Sequence, residues 1–289
     1  MSKVTVSYKT KNSLIDKILQ KEQISLIKND GLLSSLPFIK NRFADIHFTS
    51  GVLNKDEIKK VENSKITIVN SLSSKYELIN NYGIDEKKLK VIYPSVNIEY
   101  EKPKVVKKRV YEKLGIDSKN RLIFFTAKNF KNSGVKEFIN IIFTLSQDNF
   151  QAVIAGDSKQ ITNLKFHLSK FNYTQKIILV ENYENLNELF LASDIFFLPT
   201  SYKSFAANVL KAMYCKCVVF TTANNHSKEL IDIFSTMESP HDKSATFKID
   251  AVLMQKEEMK NIKKNNRHIA KEHTLEANLK RFEEILSNI

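Results

Sequence analysis

Cysteine, glycine, proline and long apolar runs are all scarce in this chain. Only two of its 289 residues are cysteines, Cys215 and Cys217. A structural zinc site usually takes four ligands, and no histidine cluster lies beside the pair to complete one. Both stand at the entry to the apolar run Cys217-Val218-Val219-Phe220 and read as reduced, buried thiols of a cytosolic protein. Six glycines and five prolines argue against long flexible linkers. No stretch reaches the ~18 apolar residues that a membrane-spanning helix needs. The opening Met-Ser-Lys-Val-Thr-Val lacks the apolar run of a signal peptide.

What is present points to folded cores and an anionic partner. A hydrophobic fraction of 42% and 19 phenylalanines fit sizeable cores rather than a disordered chain. Lys and Arg number 45 against 32 Asp and Glu, a net charge of +13. Such a balance favours nucleotides, nucleic acid or an anionic membrane surface. The lysine-rich composition of an AT-rich genome accounts for it equally well. No interleaving of aromatic and basic residues of the single-strand-binding kind occurs, so nucleic acid is not an expected partner.

The pattern divides the chain near residue 100. Residues 1–98 read as a small α/β domain, with strands at Val4–Tyr8, Ile24–Ile27, Phe43–Thr49, Lys65–Val69 and Lys90–Tyr93. Helices are expected at Ser13–Leu19, Lys55–Glu62 and Lys75–Asn80, the last capped by Ser73 and ended by Gly83. Residues 99–113 read as a charge-rich connector, a solvated linker and helix start in preference to a binding patch. From Leu122 onward strand and helix alternate, which argues for a parallel, doubly wound sheet. That alternation includes a helix at Ser227–Phe234 and a weak strand at Ala245–Lys248. The tail from Lys256 is helical, with Leu275, Leu279, Phe282, Ile285 and Leu286 spaced to pack one face. Two α/β domains carry a ligand, by default, in the cleft between them.

The stretch Asp194–Met213 is the most informative. Ile195–Leu198 is a buried-type strand, Pro199 ends it, Thr200, Ser201 and Ser204 form a polar loop, and a helix follows with Val209, Leu210 and Met213 apolar. A strand, a polar loop and a helix N-terminus present backbone N–H groups and a positive dipole end to an anion. Most such units of a parallel sheet bind nothing, so the geometry alone is only an invitation.

Six segments taken in order resemble a known family. They are Lys90–Asn97 (Lys-Val-Ile-Tyr-Pro-Ser-Val-Asn), Thr126–Val135 within Leu122–Phe138, Val153–Asp157, Leu189–Met213, Cys217–Asp232, and the closing helix that follows His273-Thr274. Together they resemble the GT-B fold glycosyltransferases, closest to the retaining family 4 (group 1). The resemblance implies two Rossmann-like doubly wound domains facing a cleft: residues 1–98 on the acceptor side, 99–272 holding the donor, and 273–289 crossing back to the first domain. The N-terminal domain is short for the family and lacks its Gly-Gly first loop.

The same resemblance implies the chemistry. A nucleotide-diphosphate sugar is the donor, and its leaving group departs with help from cations and a helix N-terminus. In the family an Arg and a Lys flank the diphosphate, two Glu residues eight positions apart contact sugar and ribose, and neither metal nor other cofactor is needed. Here Lys128 stands at the Arg position, without the bidentate fork, and Ser133 stands at the Lys position. Lys203 and Lys211 stand at both Glu positions, reversing the charge of that site by four units. Phe205 matches, Ala206 replaces a Gly, and Asn208 is polar where an apolar residue is usual. Lys128 and Lys203 are the candidate catalytic residues. Asn129, Lys131, Gly134, Tyr183, Ser204, Phe205, Asn208 and Lys211 are the candidate donor-binding set, and His47 and Ser71 the candidate acceptor-side pair.

Alternatives stand beside several of these. Lys203 or Lys211 compensates for the cation lost at Ser133, or pairs with an acidic donor sugar, or marks a fold that has lost catalysis and acts as a binding or assembly partner. Lys211 is equally well a solvated helix lysine. His47 is more often structural in such a place, Tyr183 packs a loop or stacks on a base, and Asn224, Asn225 and His226 form a turn ahead of Glu229. The expected function is transfer of a sugar from a nucleotide donor to a glycan, lipid-linked or protein acceptor. The expected place is the cytoplasm, with peripheral contact to an anionic membrane.

Overall fold

The structure, a computed structural model, describes residues 3–27 and 43–289. They form two compact units: the residues up to Asn97 together with His273–Ile289, and Ile98–Glu272. Each unit is built on a wholly parallel sheet.

The first unit holds β1 (Val4–Tyr8), α1 (Ser13–Ile18), β2 (Ile24–Leu26), β3 (Ile46–Thr49), α2 (Lys55–Asn63), β4 (Ile66–Val69), α3 (Leu72–Tyr82) and β5 (Leu89–Val91). Its strand order is β2-β1-β3-β4-β5, which reverses between β1 and β3, the flavodoxin-like arrangement. Both faces of the sheet are covered, as a parallel sheet requires. Alternation along β4 sends Ile68 to one face, with Ile15, Ile18 and Phe48, and Val69 to the other, with Ile58, Val61 and Leu78. The C-terminal helix of the chain, Leu275–Leu286, completes the first of these clusters. Its Phe282 is fully buried and meets the Phe48 ring at 5.9 Å, with Leu275, Leu279, Ile285 and Leu286 packed around it. Thr274 caps that helix, and the buried Asn278 donates to the Tyr93 carbonyl and to Ser95 Oγ, both at 2.9 Å.

The second unit runs through α4 (Pro103–Leu114), β6 (Arg121–Thr126), α5 (Val135–Thr144), β7 (Phe150–Gly156), α6 (Ser158–Leu168), β8 (Ile177–Glu181), α7 (Leu186–Ala192), β9 (Ile195–Leu198), α8 (Ala207–Tyr214), β10 (Val218–Thr222), β11 (Thr236–Met237), α9 (Ser244–Met254) and α10 (Lys256–Lys271). Numbered within the unit, the order β8-β7-β6-β9-β10-β11 is 3-2-1-4-5-6, the dinucleotide-fold order, and it reverses between β6 and β9. Phenylalanines fill both faces. Phe124 meets Phe190 at 5.0 Å on one side, while Phe125 meets Phe138 at 5.2 Å on the other.

The structure corrects several local expectations. Ser71, not Ser73, caps α3 and accepts from the Ser74 N–H, so that helix begins three residues earlier than expected. The supposed connector 99–113 is mostly helix α4: Pro103 opens it, Gly115 ends it, and Val106, Val110 and Tyr111 form a buried stripe under a coat of lysines. Ser227–Phe234 is two short 3-10 turns, because only Ser227 and Ser235 are buried there and no apolar face exists to hold a helix. Ala245–Lys248 lies in α9, where Ala245, Ile249, Val252 and Leu253 bury at helical spacing.

Candidate functional site

In an open α/β sheet a ligand sits beyond the strand C-termini where the strand order reverses. In the second unit that place is flanked by the loops after β6 (residues 127–134) and after β9 (residues 199–206). Each loop leads into a helix, α5 and α8, and no side chain caps either N-terminus. Two open helix starts therefore aim their N–H groups and positive dipole ends at one crevice.

The two loops are stapled together. The Asn132 carbonyl accepts from Ser201 N–H (3.3 Å) and Ser201 Oγ (2.9 Å), and Asn132 Nδ2 donates to the Tyr202 hydroxyl at 3.0 Å. Asn208 Nδ2 reaches back to the Thr126 carbonyl at 3.4 Å. Gly134 sits at φ +83°, and a Cβ there would lie 1.8 Å from the Pro199 carbonyl oxygen. Only glycine permits this contact. Gly156, the last residue of β7, plays a similar part: a Cβ would meet the Phe130 ring at 2.4 Å. Phe130 N–H donates to Gln160 Oε1 at 2.7 Å, which ties the first loop to the start of α6.

Asn225 is the anchor of the second loop. It is 1% exposed, its Nδ2 donates to the Tyr202 and Ser204 carbonyls (2.9 and 2.8 Å), and its Oδ1 accepts from Ala206 N–H and Ser227. Thr222 Oγ1 donates to the Thr200 carbonyl at 2.6 Å, and His226 N–H to the Lys203 carbonyl at 2.8 Å. Sequence reasoning named Asn225 only as a turn former and missed Asn132, Gln160 and Gly156. The Thr-Thr-Ala-Asn-Asn run after an apolar strand was the available signal for Asn225.

The predicted residues divide by placement. Lys128 and Lys131 lie exposed on the first loop, and Lys203 exposed on the second. None of the three has an ion pair among the described residues. Asn129 serves its own turn, accepting the Asn132 N–H at 3.2 Å. Ser133 is buried, so the position offers neither charge nor reach. Phe205 is buried and wedges the loop, Ser204 is half-buried, and Lys211 is half-buried on α8. Burial lowers the Lys211 pKa, opposed by Cys215, and no carboxylate pairs with it among the described residues.

Tyr183 stands apart. It follows β8, two strands beyond β6 and so roughly 10 Å away along the sheet edge. Lys113 lies 4.4 Å over its ring, and its hydroxyl donates to Glu188 at 3.1 Å. Burial, with the bond to Glu188, pushes its hydroxyl up to about 12. These contacts pack a loop. Asn182 beside it takes φ +46° and donates to Ser158 Oγ. Glu229 lies half-buried in the 3-10 turn after Asn225.

His47 and Ser71, expected on an acceptor face, are both buried. His47 lies between Ser7 Oγ (2.8 Å from Nδ1) and Glu57 Oε1 (2.9 Å from Nε2), so both ring nitrogens are engaged. Burial would raise the Glu57 carboxyl, but bonds from His47 and Thr49 hold it at about 2. Ser71 serves α3 as its cap. At the switch point of this unit a smaller crevice of about 80 Å³ is lined by Thr10, Asn12, Ser50, Asn70 and Ser95 among others.

Comparison with known proteins agrees with this architecture. No curated protein sequence is similar to this one. A glycosyltransferase from Rickettsia africae ESF-5 superposes with a TM-score of 0.72 at 20% identity, over 83% of this chain and 69% of that one. Anabaena Alr3699/HepE, in its complex with UDP-glucose, gives 0.72 at 14% identity over 84% and 72%. WaaG, a glycosyltransferase involved in lipopolysaccharide biosynthesis, gives 0.69 at 14% identity over 92% and 87%. At these identities the likeness is one of fold: two parallel-sheet α/β domains of the GT-B kind. The model of the family "Glycosyl transferases group 1" matches residues 106–269, which is more than half of the chain and contains both stapled loops. This chain belongs to the glycosyl transferases group 1 family.

Proposed function

We propose that the protein transfers a sugar from a nucleoside-diphosphate sugar to a glycan, lipid-linked or protein acceptor, with retention and without a metal. The observation that carries the reading is the crevice at the β6–β9 switch point. Two uncapped helix N-termini meet there, and Lys128, Lys131 and Lys203 stand around it with no acidic partner among the described residues. Such a site stabilises a departing diphosphate by preorganised charge. In this reading Lys128 and Lys203 face the leaving group. Lys131, Gly134, Ser204 and Asn208 position it, and Lys211 adds charge from within α8. The first unit takes the acceptor at the crevice near Asn12, Ser50 and Asn70. UDP is the first nucleotide to try, because HepE was crystallised with it.

The test is a panel of nucleotide sugars with the purified chain, read by nucleoside-diphosphate release, with Lys203→Ala alongside. Calorimetric binding of a nucleoside diphosphate that weakens about tenfold or more in Lys203→Ala supports the reading. Absence of binding by every nucleotide tried overturns it.

A second reading has its own observation. Thr200–Tyr214 contains no Asp or Glu, and Ser133 is buried and neutral. A site stripped of its carboxylates fits a non-catalytic binding or assembly partner. That reading requires thermal stabilisation by a glycan or a partner protein and none by nucleoside diphosphates.

A further inference from the structure

A second cationic feature lies at the other edge of the same sheet. Helix α10 carries Lys256, Lys260, Lys263, Lys264, Arg267 and Lys271, spaced at four, three, one, three and four residues. That spacing puts them along one side of the helix. They face a groove of about 750 Å³, which also receives Arg121 and Lys216. Eight Lys or Arg side chains therefore line the groove against one carboxylate, Glu257. Arg121 is the first residue of β6, and Lys216 lies two residues before β10. The groove is thus where the strands begin, whereas the candidate donor crevice is where they end, about 20 Å away along β6.

The charges are held in place rather than scattered. Buried Asp194 binds Lys107 (2.7 Å) and Lys263 (2.5 Å), with Arg121 at 3.6 Å, and so fixes three cations beside the groove floor. The Arg267 guanidinium lies 3.5 Å over the Tyr100 ring and bonds the Tyr214 carbonyl. Beside the stripe α10 is anchored by buried Met259, Asn266 and Ala270, with Asn266 Nδ2 donating to the Cys217 carbonyl at 2.9 Å. Lys256, Lys264, Lys271 and Lys216 have no ion pair among the described residues. Like charges three and four residues apart destabilise a helix, so the bare stripe is self-repulsive.

Lys216 adds an independent sign. It sits at φ +64°, just past the end of α8, where a helix ordinarily places glycine. A lysine held in that strained conformation at the lip of a cationic groove points to a role for its charge.

We propose that this groove is a second anion-binding site that takes closely spaced phosphate groups, as in an inorganic oligophosphate or the headgroups of an anionic phospholipid surface. Several phosphates relieve the repulsion along α10 together, which a single monovalent anion cannot do. The proposal does not depend on the donor site.

The experiment uses the full chain and two probes. Sodium tripolyphosphate is titrated by calorimetry, and vesicles of equal phosphatidylglycerol and phosphatidylcholine are tested by co-sedimentation. Four variants accompany the wild type: Lys260→Glu/Lys264→Glu/Lys271→Glu; the charge-matched Lys136→Glu/Lys170→Glu/Lys243→Glu; Lys128→Ala/Lys131→Ala at the donor crevice; and Lys216→Gly. The α10 variant should lose vesicle binding, and the tripolyphosphate binding that survives in Lys128→Ala/Lys131→Ala, at least about tenfold, while the charge-matched variant keeps both. Lys216→Gly should weaken binding while its thermal midpoint holds or rises, because glycine relieves the backbone. Loss confined to tripolyphosphate identifies a soluble oligophosphate, and loss confined to vesicles identifies a headgroup; either supports the proposal. Equal loss in both triple variants, binding of neither probe by the wild type, or tighter binding of duplex DNA than of either probe overturns it.

Discussion

Gly134→Ala tests whether the close contact of the two stapled loops holds the site together. Gly134 and Gly115 have nearly the same handedness, φ +83° and φ +67°, but different surroundings. A Cβ at Gly115 meets nothing within 4 Å, while one at Gly134 lies 1.8 Å from the Pro199 carbonyl oxygen. Both substitutions cost about 1–2 kcal/mol for a left-handed alanine. A less flexible unfolded chain returns roughly 0.4–1 kcal/mol of that. Gly115→Ala should therefore destabilise by about 1 kcal/mol. At Gly134 the new methyl is also roughly 1.5 Å short of an ordinary contact. Backbone must move, which adds about 1–3 kcal/mol. The total of about 2–4 kcal/mol lowers Tm by roughly 5–15 °C, against roughly 2–4 °C for Gly115→Ala. Both glycines lie in the second unit, so its thermal transition, followed by circular dichroism, compares them directly. A shift of about 1 Å in the loop should also weaken any nucleotide turnover by about 100-fold. Equal Tm losses in the two variants would refute the claim that this contact constrains the loops.

Other consequences follow from particular contacts. Phe282→Ala removes a fully buried ring from the first unit and should cost about 3–5 kcal/mol, seen in urea as earlier loss of that unit. Burial alone would raise the Asp194 carboxyl, but Lys263 and Lys107 hold it near 2, whereas Lys107 itself is lowered, burial outweighing its partner. With the folded pKa near 2 and the ordinary value 3.8, Asp194 contributes about 2 kcal/mol that is present above about pH 5 and lost as pH falls toward 2. Asp194→Asn should thus lower urea stability at pH 7 and flatten its fall between pH 5 and 2; unchanged acid sensitivity would count against it. Lys211→Met should leave stability unchanged or raised, since the half-buried ammonium has no acidic partner, yet weaken nucleotide binding about tenfold in calorimetry.

How far the sequence reaches is visible in the residues themselves. The strands of the second unit were legible because buried parallel strands are continuous apolar runs, as in Leu122–Phe125 and Ile195–Leu198. The loop cations were legible because a strand, a polar loop and a helix leave few other places for them. Helix α4 was not, since its stripe is only Val106, Val110 and Tyr111 among six Lys, Arg and Glu residues. The structural role of His47 was weighed but not its partners, because Ser7 and Glu57 are distant in sequence and met only when β3 paired with β1 and α2 packed behind it. Asn225 and Asn132 escaped for a similar reason. An asparagine that staples a loop looks in sequence like one that merely turns it.

The structure separates the two lysines that stand at the family's two Glu positions. Lys203 is exposed on a loop whose backbone is fixed by Asn225 and His226, so its charge is placed while its ammonium stays in water. Its cost to the fold is small, and its presence says little about what it meets. Lys211 sits four residues into α8, about 6 Å along the axis from the helix start. It is half-buried, and its lowered pKa reflects the penalty for keeping a charge there. A fold that had only drifted from catalysis would lose nothing by replacing Lys211 with methionine or leucine of similar volume. An unpaired, partly desolvated ammonium is opposed by burial, although the last turn of α8, where Lys211 stands, is the end that the helix dipole favours for a cation. The burial penalty is relieved by a negative group of a ligand beside the ammonium. Of the three readings open for these lysines, the buried charge of Lys211 bears most directly on an acidic donor. A uronic-acid nucleotide that binds at least about tenfold tighter than its neutral counterpart, with the preference abolished in Lys211→Met, is the expected result. Equal binding of the two sugars would return the weight to simple compensation for Ser133.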